Sequence, residues 1–219
     1  MPGGFCQDTA ERMRDMVELN RRKALLVAAL LPAFMPAAET LAAAEAVGTV
    51  TKLKGKASAE LAGKTRALKL KAPVHLTETL ITGGGEARLT ALLAERTTLK
   101  LGARTKVRID SFIVDSGGEL SFNSGALLLD APSQSFEKGL TIDSRFALIA
   151  VRGTKFFAGR LGEAFSVFVE EGAVDVTAAG QTVRLASGDG TDIANPGDPP
   201  GEVRRWGAPK IARAMALVE

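Results

Sequence analysis

Few side chains in this sequence could carry chemistry. His75 is the only histidine and Cys6 the only cysteine, so no two-histidine metal site can be assembled. No serine stands in a G-x-S-x-G turn, and no glycine-rich loop opens onto a helix, which leaves out an elbow nucleophile and a phosphate cradle. Gly83-Gly84-Gly85 reads as a loop between strands. Carboxylates are plentiful (Asp110, Asp115, Asp143, Glu170, Glu171), as on the wet face of any sheet; a glycan hydrolase would need two of them about 5–10 Å apart in a deep cleft. Asp189-Gly190-Thr191-Asp192 puts two acids in one turn, a weak pattern for Ca²⁺. His75, on a short strand after Pro73-Val74, is expected to be a surface or half-buried side chain. No catalytic, cofactor-binding or metal-binding residues are therefore expected.

Two short motifs stand out: Arg152-Gly153-Thr154 and Glu170-Glu171-Gly172. Structural roles suffice for both. Gly153 permits a bulge or a close backbone approach, and Arg152 is expected to pair with Glu170 or Glu171 across a sheet. The elements holding them alternate with period two. Phe165, Val167 and Val169 fall on one face of a strand, and Ser166, Phe168 and Glu170 on the other. Glu171-Gly172 is expected to reverse a hairpin. Val174 and Val176 then restart the apolar face, and Val183 and Leu185 continue it after a turn at 178–181.

The same pattern covers most of the chain. Turns recur about every 8–12 residues from Val47 to Ile193, which predicts an all-β fold of short, mostly antiparallel strands in a sandwich or a solenoid-like stack. Expected strands include residues 47–53, 56–61, 67–70, 86–93, 97–101, 112–114 and 126–129, with VRGTKF read as one strand. Residues 195–202 (NPGDPPGE) form a linker by composition. Ala208–Val218 carries a short helical pattern, which either docks on the domain or presents a face to a partner. Three segments follow: an N-terminal extension and signal segment (1–46), a β domain (47–193), and a linker with a C-terminal helix (194–219).

The chain has 219 residues, 46% of them hydrophobic, and a formal net charge of +3. It is long enough for one domain with a real core, and its charge is too small to argue for nucleic acid. Basic residues gather in Lys52, Lys54, Lys56, Lys64, Arg66, Lys69 and Lys71. A solvated strand face accounts for them; a surface meeting a glycan or lipid headgroup is the alternative. Without aromatic residues between them, base stacking is not expected. Near the N-terminus, Arg21-Arg22-Lys23 precedes an apolar run of about 15 residues, short of the ~20 that span a bilayer. Small residues follow, the order of a secretory signal. Asn20-Arg21-Arg22-Lys23-Ala24-Leu25 also resembles a twin-arginine signal. Ala44-Glu45-Ala46 and Ala42-Ala43-Ala44 are the candidate cleavage sites, and either leaves a mature chain without cysteine, as suits an oxidising compartment.

Val151-Arg152-Gly153-Thr154-Lys155-Phe156 followed by Val169-Glu170-Glu171-Gly172-Ala173-Val174 resembles the FecR domain, a periplasmic all-β module. Gly48-Thr49-Val50, Leu80-Ile81-Thr82-Gly83, and the pair Glu86-Ala87-Arg88-Leu89 and Thr97-Thr98-Leu99-Lys100-Leu101 extend the resemblance over roughly Val47–Ile193. Two positions depart from the family pattern: Glu78-Thr79 stands where Gly-Asp is common, and Ala94-Glu95-Arg96 where an Asp-Gly turn is common. The resemblance implies a signalling or scaffolding module, not an enzyme, with an envelope or periplasmic protein as partner and a glycan as the other class. Many FecR proteins are anti-sigma regulators with a cytoplasmic segment and a membrane helix. Only about 20 residues precede the short apolar run here, so a stand-alone exported FecR-like domain is expected.

Overall fold

A computed structural model of the protein describes residues 45–113, 116–132 and 139–219. The expected signal segment, Cys6 and Asp115 lie outside the described residues. Eighteen strands are described, arranged in two nine-stranded sheets. In spatial order, the first sheet contains β18 (Arg204–Arg205), β17 (Asp189–Ile193), β14 (Ala164–Glu171), β13 (Thr154–Leu161), β10 (Ala126–Ala131), β7 (Thr97–Leu101), β6 (Arg88–Leu93), β1 (Ala46–Lys54) and β4 (Pro73–His75). The second contains β16 (Gln181–Ala186), β15 (Ala173–Ala178), β12 (Leu148–Val151), β11 (Leu140–Ser144), β9 (Gly117–Ser124), β8 (Lys106–Ile113), β5 (Thr79–Thr82), β2 (Ala57–Leu61) and β3 (Lys64–Ala67). The all-β expectation is borne out.

The chain winds from sheet to sheet, laying down one or two strands before each crossing. Ladder pairs are antiparallel except β9 with β11. The alternation seen in the sequence becomes an inner face and an outer face: in β6, Leu89, Ala91 and Leu93 are buried while Arg88, Thr90 and Leu92 are only partly so. Residues such as Val50, Leu80, Leu99, Ile109, Leu129, Phe156 and Val167 form the core between the sheets. Each such side chain stabilises the fold by about 1.5–3 kcal/mol when fully buried.

Strands β13 and β14 are buried on both faces in their middle. Phe157 and Phe168 point away from the main core and need a second cover. That cover is the C-terminal helix α1 (Ala208–Met215), with Trp206 before it and Val218 after it. Trp206 stacks on Phe168 with ring centroids 4.8 Å apart. Lys210 Nζ lies 4.1 Å from the centre of the Trp206 ring and 2.6 Å from Asp192 Oδ2. An eight-residue helix is too short to persist alone in water; its packing on β13 and β14 supplies the stability. Of the two roles the sequence left open, the helix takes docking.

Four expectations are corrected. The strand expected at 67–70 is β3, three residues earlier, because Ala62 and Gly63 both adopt positive φ and turn the chain tightly enough for Lys64 to pair with Leu61. The separate strand expected at 112–114 is not one: Phe112 belongs to the end of β8, and the next strand, β9, begins at Gly117. Most consequentially, VRGTKF is not one strand. Val151 ends β12 in the second sheet and Thr154 begins β13 in the first. Likewise Glu171-Gly172 is not a hairpin turn, since β15 pairs with β12 and β16 while β14 pairs with β13 and β17.

Candidate interaction surface

Both motifs are corners between sheets, and they lie against each other. Gly153 has φ 68° and Gly172 φ 85°, left-handed conformations that let each corner fold over. A Cβ on Gly172 would lie 2.6 Å from the Gly153 carbonyl oxygen and 3.2 Å from Thr154 Cα. The Thr154 hydroxyl donates to the Ala173 carbonyl at 3.1 Å and is buried with its residue. Ser187 at the next crossing donates to the Glu170 carbonyl at 2.7 Å. These residues join three successive crossings at one end of the stack.

The ion pair expected for Arg152 is not formed. Lys155 takes Glu170 instead, at 3.1 Å, and this hydrogen bond holds the Lys155 ammonium above the usual lysine range. The reason is the corner itself. Arg152 sits in the crossing and is exposed, whereas Lys155 lies on β13 beside β14, where the ladder register shifts between Lys155 and Phe156.

The seven basic residues do not share a face. Lys52 and Lys54 lie on β1 and line a groove of about 390 Å³ with Arg88, Lys100 and Glu219. In it Lys100 reaches Glu219 at 3.2 Å and Arg88 donates to the Ala216 carbonyl at 2.8 Å. Lys54 pairs with Glu86 at 2.7 Å and holds that carboxyl below its usual range. Lys56 lies at the first crossing, Lys64 at the β2–β3 turn, and Lys69 and Lys71 in the link to β4. Arg66 turns inward. Its Nε and Nη2 donate to the two oxygens of Glu78, each at 2.9 Å, and Nη2 also reaches the Pro73 carbonyl. Two sheets, a crossing, a turn and a link carry these residues apart; sequence proximity alone cannot keep them on one surface.

Glu78 is the residue that reasoning from sequence missed. It is fully buried, and besides Arg66 it accepts the His75 backbone N–H at 3.0 Å. Arg66 is in the second sheet, and Pro73 and His75 are in the first. One carboxylate therefore ties both N-terminal edge strands together. The available signal was its departure from the family pattern at this position.

Several of the carboxylates are used structurally. Ser166 donates to Asp192 Oδ1 at 2.6 Å, and Asp189 Oδ2 accepts the Ala186 N–H at 3.2 Å. Among the described residues, no three His, Cys, Asp or Glu side chains are grouped to hold a metal ion. No helix among them is long and apolar enough to cross a membrane.

The sheet edges differ. On the N-terminal side, β4 carries Pro73, which has no N–H to offer, and β3 is four residues long. On the C-terminal side, β18 has two residues but β16 has six. The two-residue turn at Ala179-Gly180 makes Ala178 and Gln181 the closing hydrogen-bonded pair. Thr182 and Arg184 consequently aim their backbone groups away from β15. The Ala186 N–H also faces outward and is satisfied by Asp189. Beyond it, β16 offers an open ladder.

Fold and geometry define an all-β module wound between two sheets, closed at its N-terminal edge and open along β16. Residues 78–175 match the family model described as FecR protein, which bears out the FecR resemblance over that stretch. The match is narrower than the 47–193 expected; it starts at Glu78 and contains both corner motifs. Two crystal structures of a candidate anti-sigma factor from Parabacteroides distasonis ATCC 8503 are similar in fold, each with a TM-score of 0.52 at 20% sequence identity. The similarity covers 61% of this chain and 62% of that one. A search of curated proteins found no match.

Proposed function

We propose that this protein is an exported, non-enzymatic FecR-like module that works in the periplasm by recognising another protein through the open edge of β16. The single observation that carries this reading is the outward-facing backbone of Thr182 and Arg184 on a six-residue edge without proline or lysine. Such an edge is a template for an added strand. The FecR match supports a signalling or regulatory role. A photo-crosslinking amino acid at Thr182 should give one discrete protein adduct in intact cells, and the same group at Thr65 on β3 should not. Arg184→Pro removes an outward N–H without touching the β15 ladder, and should abolish the adduct while leaving thermal stability nearly unchanged. No adduct at β16, or an adduct indifferent to Arg184→Pro, would sink the proposal.

Export carries its own expected result. The Leu76 N–H donates to the Glu45 carbonyl at 2.9 Å, and Ala46 pairs with His75 in the sheet. Cleavage after Ala46 would discard both contacts, whereas cleavage after Ala44 keeps them. N-terminal sequencing of secreted protein should therefore read Glu45-Ala46-Val47. A mature chain beginning at Val47 would overturn this choice of site, and one retaining Met1 would overturn cleavage.

A further inference from the structure

The end of the stack opposite the two corners carries a small cleft of about 80 Å³ lined by Arg145, Arg160, Asn123 and three phenylalanines. Phe146 and Phe165 stack with centroids 4.8 Å apart and planes 4° apart, and Phe122 lies 6.0 Å from Phe165. All three rings are nearly buried, so the floor is a low-dielectric surface against which charge–charge attraction is strong. Arg145 and Arg160 are exposed, and among the described residues neither has a carboxylate partner.

Arg145 projects from a braced turn and Arg160 from the end of β13. The Ser144 hydroxyl accepts the N–H groups of Phe146 and Ala147 at 3.2 and 3.0 Å and donates to the Ala147 carbonyl at 2.8 Å, bracing the turn that carries Arg145. The Arg145 guanidinium lies 5.7 Å from the centre of the Phe146 ring. Arg160 donates across the β13–β14 turn to the Glu163 carbonyl, which spends part of its five-donor fork and leaves the rest free. The hairpins thus hold two cations at one cleft without neutralising either.

We infer that this cleft binds a carboxylate, gripped by the free N–H groups of Arg145 and Arg160. Pockets that engulf a whole small molecule measure about 300–1,000 Å³; this one fits a single anionic group of a ligand that remains largely outside. Planar guanidinium forks match carboxylate geometry. The carboxylate comes from a free organic acid or from an acidic side chain of a partner.

The test is amide NMR on the full chain, titrated with sodium succinate, with acetyl-Gly-Asp-Gly-amide, and with sodium chloride at equal ionic strength. At least one of the two carboxylates should shift the amides of Gly125, Arg145, Phe146 and Arg160 saturably, and sodium chloride should not. Arg145→Gln and Arg160→Gln should each weaken binding about tenfold or more, while Arg152→Gln, an exposed arginine at the other end, should leave it unchanged. Tighter binding of the peptide assigns the carboxylate to a protein side chain, and tighter binding of succinate to a free acid. Absence of saturation with both probes, or equal weakening by Arg152→Gln, overturns the inference. Arg184→Pro should leave the titration intact, which separates failure here from failure of the β16 reading.

Discussion

Gly172→Ala is expected to destabilise the protein by about 3 kcal/mol, from a left-handed penalty of about 1–2 kcal/mol and an overpacking penalty of about 1–3 kcal/mol. Gly172 has φ 85°, and the added methyl would lie 2.6 Å from the Gly153 carbonyl oxygen. That oxygen belongs to the other corner and cannot retreat without moving Thr154, whose hydroxyl is bound to Ala173. Gly180→Ala is the control. It has φ 75° and nothing within 4 Å of a built Cβ, so it should show only the conformational penalty. Urea titrations of the two variants, compared at equal m-value, separate strain from clash. Equal losses in the two would show that the corners are not in close contact.

The second large effect is expected at Glu78. Glu78→Ala removes both acceptors of the Arg66 fork and the acceptor of the His75 N–H. Breaking a buried pair costs about 3–5 kcal/mol. The Arg66 side chain is 37% exposed and regains water, which brings the expected loss to about 2 kcal/mol. Arg66→Ala should cost at least as much, because it leaves a fully buried carboxylate with only the His75 N–H as its partner. The double variant should cost less than the sum of the two. Glu78→Gln should recover part of the stability, since an amide oxygen can still accept the His75 N–H. Additive losses in the cycle would mean that the pair is not coupled. Beyond the pair itself, this carboxylate joins β3 to β4 at the N-terminal edge of the stack.

Much of the secondary structure was legible because burial on one face leaves a period of two in the sequence. β6, β7 and β15 follow it residue by residue. The hairpin between β6 and β7 was legible too, although Ala94 and Glu95 adopt φ 46° and 58° where Asp-Gly would turn with less strain. Phe168 was harder. It sits among polar residues on its face of β14, and nothing local says that a helix about 40 residues later covers it.

By itself, then, the sequence determined the fold class, the strands with one wet face, the poverty of catalytic side chains and the FecR resemblance. Alternation, composition and motif are local properties, and they survive without knowing which strands are neighbours. Tertiary structure alone decided that VRGT and EEG are interlocked corners, that Arg66 turns inward to Glu78, and that Arg145 and Arg160 share a cleft. A glycine at positive φ is compatible equally with a hairpin and with a crossing. Only the pairing of β15 with β12 and β16 distinguishes them, and that pairing depends on the packing of the whole stack.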